Sequence, residues 1–157
     1  MQAMTYTVAE LLNKLHKNEV KLAFIAAGGG VGLFELFKIP GASKVLTEGR
    51  MLYSKESFES FLEKPISGPF VSQETANLLA TRLDLSSEAD ICLAFTCALS
   101  TDRERRGENR GYLALCHKQQ IIVRQLIEVE GENRADQDNY VTRKILKQII
   151  HYLEKER

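Results

Sequence analysis

Three consecutive glycines, Gly28, Gly29 and Gly30, follow the apolar run Val20 to Ala27 and precede apolar residues at helical spacing from Val31 to Phe37. A glycine turn between a buried strand and a helix brings backbone amides to an anion at the positive helix end, which reads as phosphate or carboxylate binding. The plainer reading is a tight strand-to-helix turn with close packing. A dinucleotide fingerprint, G-x-G-x-x-G, is not completed: the sixth position from Gly28 is Leu33, even though Glu48 has a spacing suited to a ribose acid.

Covalent catalysis needs a hydroxyl or thiol beside a base. No serine or cysteine closes the first strand, and no histidine falls near the strand ends at Ala26 to Gly30, Tyr53 and Ser54, or Thr96 to Ser100, so a serine–histidine triad is not expected. Cys97 follows Thr96 at a strand end, but no base accompanies it, and a buried structural thiol is the expected state. Arg103, Arg105, Arg106 and Arg110 share one loop and could clamp a phosphate, since guanidinium meets that group bidentately. Asp102, Glu104 and Glu108 interleave with them and neutralise much of the patch. His16, His117 and His151 are scattered, with no HxxxH or CxxC neighbour, so no zinc or other metal site is expected. No carboxylate pair at a fixed spacing suggests glycosidase chemistry.

The elements that must position these residues follow from the pattern of apolar side chains. Thr7 and Glu10 form a capping box before Val8, Leu11, Leu12 and Leu15, which predicts a helix to about Asn18. Val20 to Ala27 predicts a strand covered on both faces, and Val31 to Phe37 a short helix ended by Ile39-Pro40-Gly41. Val45 to Tyr53 predicts a second strand, Ser54 caps a helix carrying Phe58, Phe61 and Leu62, and another helix starts after Ser72. Ile91 to Thr96 predicts a third strand. Gly111 to Cys116 and Gln120 to Val129 lie too close for a crossover and must pair as an antiparallel hairpin. A last helix is predicted from about Asp138 to Glu156. Strands alternating with helices and feeding one hairpin imply a mixed, mostly parallel sheet in a three-layer α/β/α sandwich.

In such sheets ligands sit beyond the carboxyl ends of the strands, here Ala26 to Gly30, Tyr53 and Ser54, and Thr96 to Ser100. The whole chain sets further bounds. Its 157 residues, 44% apolar and 27% charged, suit one globular domain over 1–157. The 21 basic and 21 acidic residues cancel, so no field is available to hold nucleic acid or an anionic membrane. No run approaches a membrane span, and the start MQAMTYTVAE lacks a signal-peptide pattern, so a cytoplasmic protein is expected. Cys92, Cys97 and Cys116 are expected as reduced thiols.

Ile39-Pro40-Gly41-Ala42-Ser43, then Gly49 and Tyr53-Ser54, resembles the VPGAS…GG(V)xxYSNExK segment of the CinA C-terminal, or nicotinamide-nucleotide amidohydrolase, family. With nine residues between the second motif glycine and the proline, the family's A-E-S-x-T-G-G falls on Phe24 to Gly30. Gly29 and Gly30 match. The resemblance puts Ala26 at the nucleophilic serine, Ile25 at the preceding acid and Gly28 at the threonine. Tyr53, Ser54 and Glu56 fit Y-S-N-E-x-K, but Lys55 stands at the asparagine and Phe58 at the lysine. Phe95 to Thr101 resembles V-T-G-I-A-G-P, keeping Thr96 only. Gly111 matches the glycine opening the fourth strand, Arg143 resembles one of two arginines before the last helix, and the other falls on Asn139 or Arg134.

The resemblance implies a five-stranded sheet of order 21345 with the fourth strand antiparallel, and a homo-oligomer. The family's separate pyrophosphatase-like domain is not expected in this chain. With Ala26 and Phe58 at the reactive positions, the resemblance implies a non-catalytic member of a family that hydrolyses nicotinamide mononucleotide, with Tyr53 and Thr96 as remnants and no cofactor. A site for a nucleotide, another small anion or a partner is expected around Gly28, Gly29, Gly30, Ser43, Tyr53, Thr96 and Arg143. The competing expectation is an active amidohydrolase with relocated groups, Thr96, Ser43 or Ser54 supplying a hydroxyl and Lys55 a base. A domain that only assembles, with no ligand, is the third.

Overall fold

Thr7 caps α1 (Val8–Asn18), its hydroxyl accepting from the Glu10 amide at 3.1 Å, in a computed structural model that describes residues 6–101 and 108–155. Arg103, Arg105 and Arg106, with Asp102 and Glu104, lie outside the described residues. All six residues of β1 (Leu22–Ala27) are buried, because alternate side chains enter two different cores. Leu22 and Phe24 join one core with Leu11, Leu15, Ile145 and Ile149. Ala23, Ile25 and Ala27 join the other with Leu79, Leu83 and Phe58. Each fully buried leucine or isoleucine contributes about 1.5–3 kcal/mol.

The remaining strands are β2 (Leu46–Leu52), β3 (Ile91–Ala98), β4 (Arg110–His117) and β5 (Gln120–Glu128). Their spatial order is β2-β1-β3-β4-β5. β1 runs parallel to β2 and β3, while β4 is antiparallel to both of its neighbours, β3 and β5. The expected mixed sheet, its order and its reversed fourth strand are therefore observed. Helices α1 and α4 (Arg134–Lys155) cover one face, and α2 (Lys55–Leu62) and α3 (Gln73–Ser86) cover the other. The β4–β5 turn is left-handed at both Lys118 and Gln119, φ 50 and 65, the geometry of a tight hairpin that matches strand twist. Asp84 stabilises it, accepting from the Gln119 amide at 2.8 Å and its side chain at 2.6 Å.

Several boundaries differ from the sequence reading. Val31–Lys38 is a 3-10 helix, not an α-helix, and a second 3-10 turn, Ala42–Lys44, follows Gly41. β3 continues two residues past Thr96 to Ala98. Arg110 belongs to β4, not to the loop before it, and its guanidinium lies over the Tyr112 ring, 5.9 Å from the centroid. α4 starts at Arg134, four residues before the expected Asp138, because the Asn133 side chain accepts from the Asp136 amide at 2.9 Å and caps the first turn. That earlier start moves Arg134, Gln137 and Asp138 onto the opening turn of a helix aimed at the strand ends. Among the described residues no helix is long and apolar enough to cross a membrane.

Candidate functional site

The carboxyl ends of β1, β2 and β3 converge, as the parallel register requires, and one side chain ties them together. Arg134 Nη2 donates to the Gly28 carbonyl at 2.8 Å and to the Tyr53 hydroxyl at 3.0 Å, and its Nη1 donates to the Ser100 carbonyl at 3.1 Å. Gln137, 3% exposed, supports the same junction. Its Oε1 accepts from the Ser100 amide at 2.8 Å, and its Nε2 donates to the Ser100 hydroxyl at 2.9 Å. Arg134 and Gln137 thus satisfy backbone groups that the ending strands leave without ladder partners.

The glycine turn donates its amides to a carboxylate of the same chain. Asp138 Oδ1 accepts from Gly30 N at 2.7 Å and Val31 N at 3.2 Å, and Oδ2 accepts from Gly32 N at 3.3 Å. The cradle of amides legible in the sequence is real, and Asp138 fills it. The turn is also closely packed. At Gly28, φ is +82, and a Cβ would lie 2.3 Å from the Cys97 carbonyl oxygen. At Gly29 it would meet Cys97 Sγ at 2.6 Å and Leu99 Cδ1 at 2.8 Å. The close packing expected of the turn is observed, and its amides solvate a carboxylate of the same chain.

A cavity of about 540 Å³ opens beside this junction, lined by Gly28, Gly29, Val31, Met51, Tyr53, Arg134, Ala135, Asp138 and Asn139. Gly28, Gly29 and Tyr53 reach it from the expected set, and Asn139 and Arg134, between which the family's second arginine position was divided, both line it. Thr96 does not. It is 1% exposed and points to the α2–α3 side, donating its hydroxyl to the Phe70 carbonyl at 2.9 Å. Ser43 precedes β2, whereas Tyr53 follows it, so the strand's seven residues separate them by on the order of 20 Å. Arg143 is exposed within α4, one turn beyond Asn139, and is not among the lining residues.

The two positions that the resemblance assigns to the reacting groups are core positions. Ala26 is fully buried; its methyl lies on the α4 side of the sheet, 3.5 Å from where a Gly30 Cβ would stand. Phe58, 5% exposed, belongs to the other core and stacks on Phe70 with ring centroids 5.0 Å apart. The sheet therefore lies between them. Lys55 and Ser54 are exposed at the start of α2, where Ser54 caps the helix and exchanges hydrogen bonds with Ser57. Cys97 is buried against Gly29. Burial, with the Asp84 carboxylate adding to it, pushes the Cys92 thiol up to about 12, and burial first raises Cys116 as well. Both are thiols at neutral pH and poor nucleophiles.

Gln137 and Asp138 are site residues that the sequence reading does not name as such, and Arg134 enters it only through the resemblance. Their i, i+3, i+4 spacing puts three polar side chains on one inward face of a helix, a signal that the late placement of the helix start concealed.

A mixed five-stranded sheet with helices on both faces, ending in a cleft at the parallel strand termini, defines the class: an open-sheet α/β domain. The family model for the CinA C-terminal domain matches residues 4–153, and the chain belongs to that family. It is 38% identical over 78 residues to a protein of Geobacillus sp. (strain WCH70) named for competence-damage induction; the match spans 47% of this chain and 19% of that relative's length. Among solved structures it resembles the competence/damage inducible protein CihA from Agrobacterium tumefaciens, with a TM-score of 0.81 at 17% identity over 98% of this chain and 99% of that one. A CinA superfamily protein from Klebsiella pneumoniae 700603 gives 0.82 at 17% identity, covering 94% and 96% of the two chains. At that identity these structures speak for the fold.

Proposed function

We propose that this chain is a CinA-family protein without amidohydrolase chemistry, which keeps the cleft at the strand ends as a small-molecule site. One observation carries the reading. Each position that the resemblance gives to a reacting group is occupied by a packed residue: a buried methyl at Ala26, a glycine with no room for a side chain at Gly28, and a stacked ring at Phe58. Nucleophilic catalysis needs the attacking atom and its base within hydrogen-bond reach, and Ala26 and Phe58 face opposite cores. The relocated alternative is not favoured, because the Thr96 hydroxyl is committed to a backbone carbonyl and Lys55 is exposed.

The cleft itself supports binding. It is bounded by Arg134 and Tyr53, joined by a hydrogen bond, and large apolar surface is left open there, with Val31 56%, Met51 37% and Tyr53 70% exposed. The test is ammonia release from nicotinamide mononucleotide by the purified protein. The expected result is no release above the uncatalysed background at micromolar protein. Turnover within the ordinary enzymatic range, about 1–1000 per second, would overturn the reading.

A further inference from the structure

The cleft holds two charged groups, and they are satisfied in different ways. Arg134 is held by three neutral oxygens, from Gly28, Tyr53 and Ser100, which use three of the five donors of a guanidinium. Among the described residues no carboxylate lies within ion-pair distance of it; the ion pairs are Lys14–Glu154, Lys38–Glu35, Arg50–Glu48 and Arg82–Glu63. The result is a half-buried cation, fixed in place by neutral oxygens, with donors left over and no ion-pair partner among the described residues. Asp138 is the reverse case: three backbone amides solvate its carboxylate, and it occupies the position where a second anionic group of a ligand would otherwise bind. The walls between them are the Tyr53 ring, the Met51 thioether, Val31 and Ala135.

We propose that the cleft takes a small aromatic monocarboxylate, and that Asp138 is the specificity-determining residue that excludes phosphate-bearing ligands. The inference rests on the reading of the cleft as a binding site and adds the class of ligand. A single carboxylate meets the positive charge of one fixed guanidinium and accepts from a donor that the three oxygens leave over, on Nε or Nη1. A flat apolar body covers Tyr53, Met51 and Val31, which stand open to water. A nucleotide brings a phosphate that finds the amide cradle filled and meets the Asp138 carboxylate as a like charge. Asp138 lies one helical turn from Arg134, and the three amides that hold its carboxylate keep it in the cradle, out of a direct ion pair with the guanidinium.

The experiment is a thermal-shift series with benzoate, its neutral analogue benzamide, inorganic phosphate and nicotinamide mononucleotide, each at millimolar concentration. Binding to the native state alone must raise the midpoint. Benzoate is expected to raise that of the wild-type protein by about 2 °C or more, and the other three to leave it unchanged. Asp138→Asn is expected to gain a shift with phosphate or the mononucleotide, because the charge that repels them is gone. Arg134→Gln is expected to lose the benzoate shift. Because Arg134 also ties strand ends together, Ala135→Trp serves as a second variant: this exposed first-turn position can fill the cleft without touching that junction, and it too must abolish the shift. Equal shifts with benzoate and benzamide, or a shift of the wild-type protein with the mononucleotide, would overturn the ligand class while leaving the binding reading in place. No shift with any of the four would overturn both.

Discussion

Replacing Gly28 with threonine, the residue that the family motif carries there, is expected to destabilise the protein by about 4 kcal/mol or more, lowering the thermal midpoint by roughly 10 °C. Two costs combine. A β-branched residue at φ +82 is strained by about 1–2 kcal/mol. The larger cost is steric: the new Cβ would stand 2.3 Å from the carbonyl oxygen of Cys97, and that residue belongs to the central strand β3, paired there with Gly111 of β4 and one position beyond the Ala27–Thr96 pair with β1. A flexible side chain could yield; a central strand cannot. Gly68, with φ +125 and nothing within 4 Å of where a Cβ would stand, supplies the control, because alanine there meets backbone strain alone and should cost about 1 kcal/mol. Urea or thermal denaturation of the two variants checks both values. A Gly28→Thr protein as stable as the wild type would show that the turn can still adopt the motif's geometry.

Phe58→Lys is the second large effect, and it also restores a family residue. Removing the ring takes away its stack on Phe70 and its packing in the α2–α3 core, a loss of about 3–5 kcal/mol by analogy with large-to-small core changes. The ammonium adds a desolvation cost that depresses the lysine's folded-state pKa below its unfolded value of about 10.4. The sign follows from linkage: the unfolded chain binds the proton more tightly, so the variant's deficit is greatest at neutral pH and shrinks as pH rises toward 10. Unfolding free energies at pH 7 and near pH 10 check it. A deficit independent of pH would mean that the ammonium reaches solvent along its stem.

These two substitutions explain which parts of the molecule were legible in the sequence. The strands were, because burial on two faces forces continuous apolar runs such as Leu22 to Ala27, and such runs are recognised from local information alone. The Thr7 and Ser54 caps and the β4–β5 hairpin were legible for the same reason. The convergence of Gly28, Tyr53 and Ser100 followed from the parallel strand order. The faces of the residues were harder: Thr96 ends a strand at the expected place, but its position in the alternation of β3 sends it toward Phe70 and away from the cleft. Ser43 shares a motif with Tyr53 in sequence, yet a whole strand lies between them. Arg134 and Asp138 reach residues 106 and 108 positions earlier, and no local period reports a contact of that span. Only the Asn133 cap, had it been recognised, would have placed them on the right turn.

If the reacting positions have become packing positions, more than a nucleophile has been lost, and restoring the nucleophile alone must fail. The most direct test is ammonia release from nicotinamide mononucleotide by Ala26→Ser, the smallest restoration of the family motif. The substitution adds one oxygen at a fully buried site, at a cost of about 1–3 kcal/mol if the hydroxyl finds no partner, so the variant should fold and can be compared with the wild type. Both proteins are expected to release no ammonia above background, because Phe58, packed in the core on the other face of the sheet, holds the lysine's place. Turnover by Ala26→Ser alone would contradict this, and would mean that the rest of the catalytic geometry is still in place around a single missing hydroxyl.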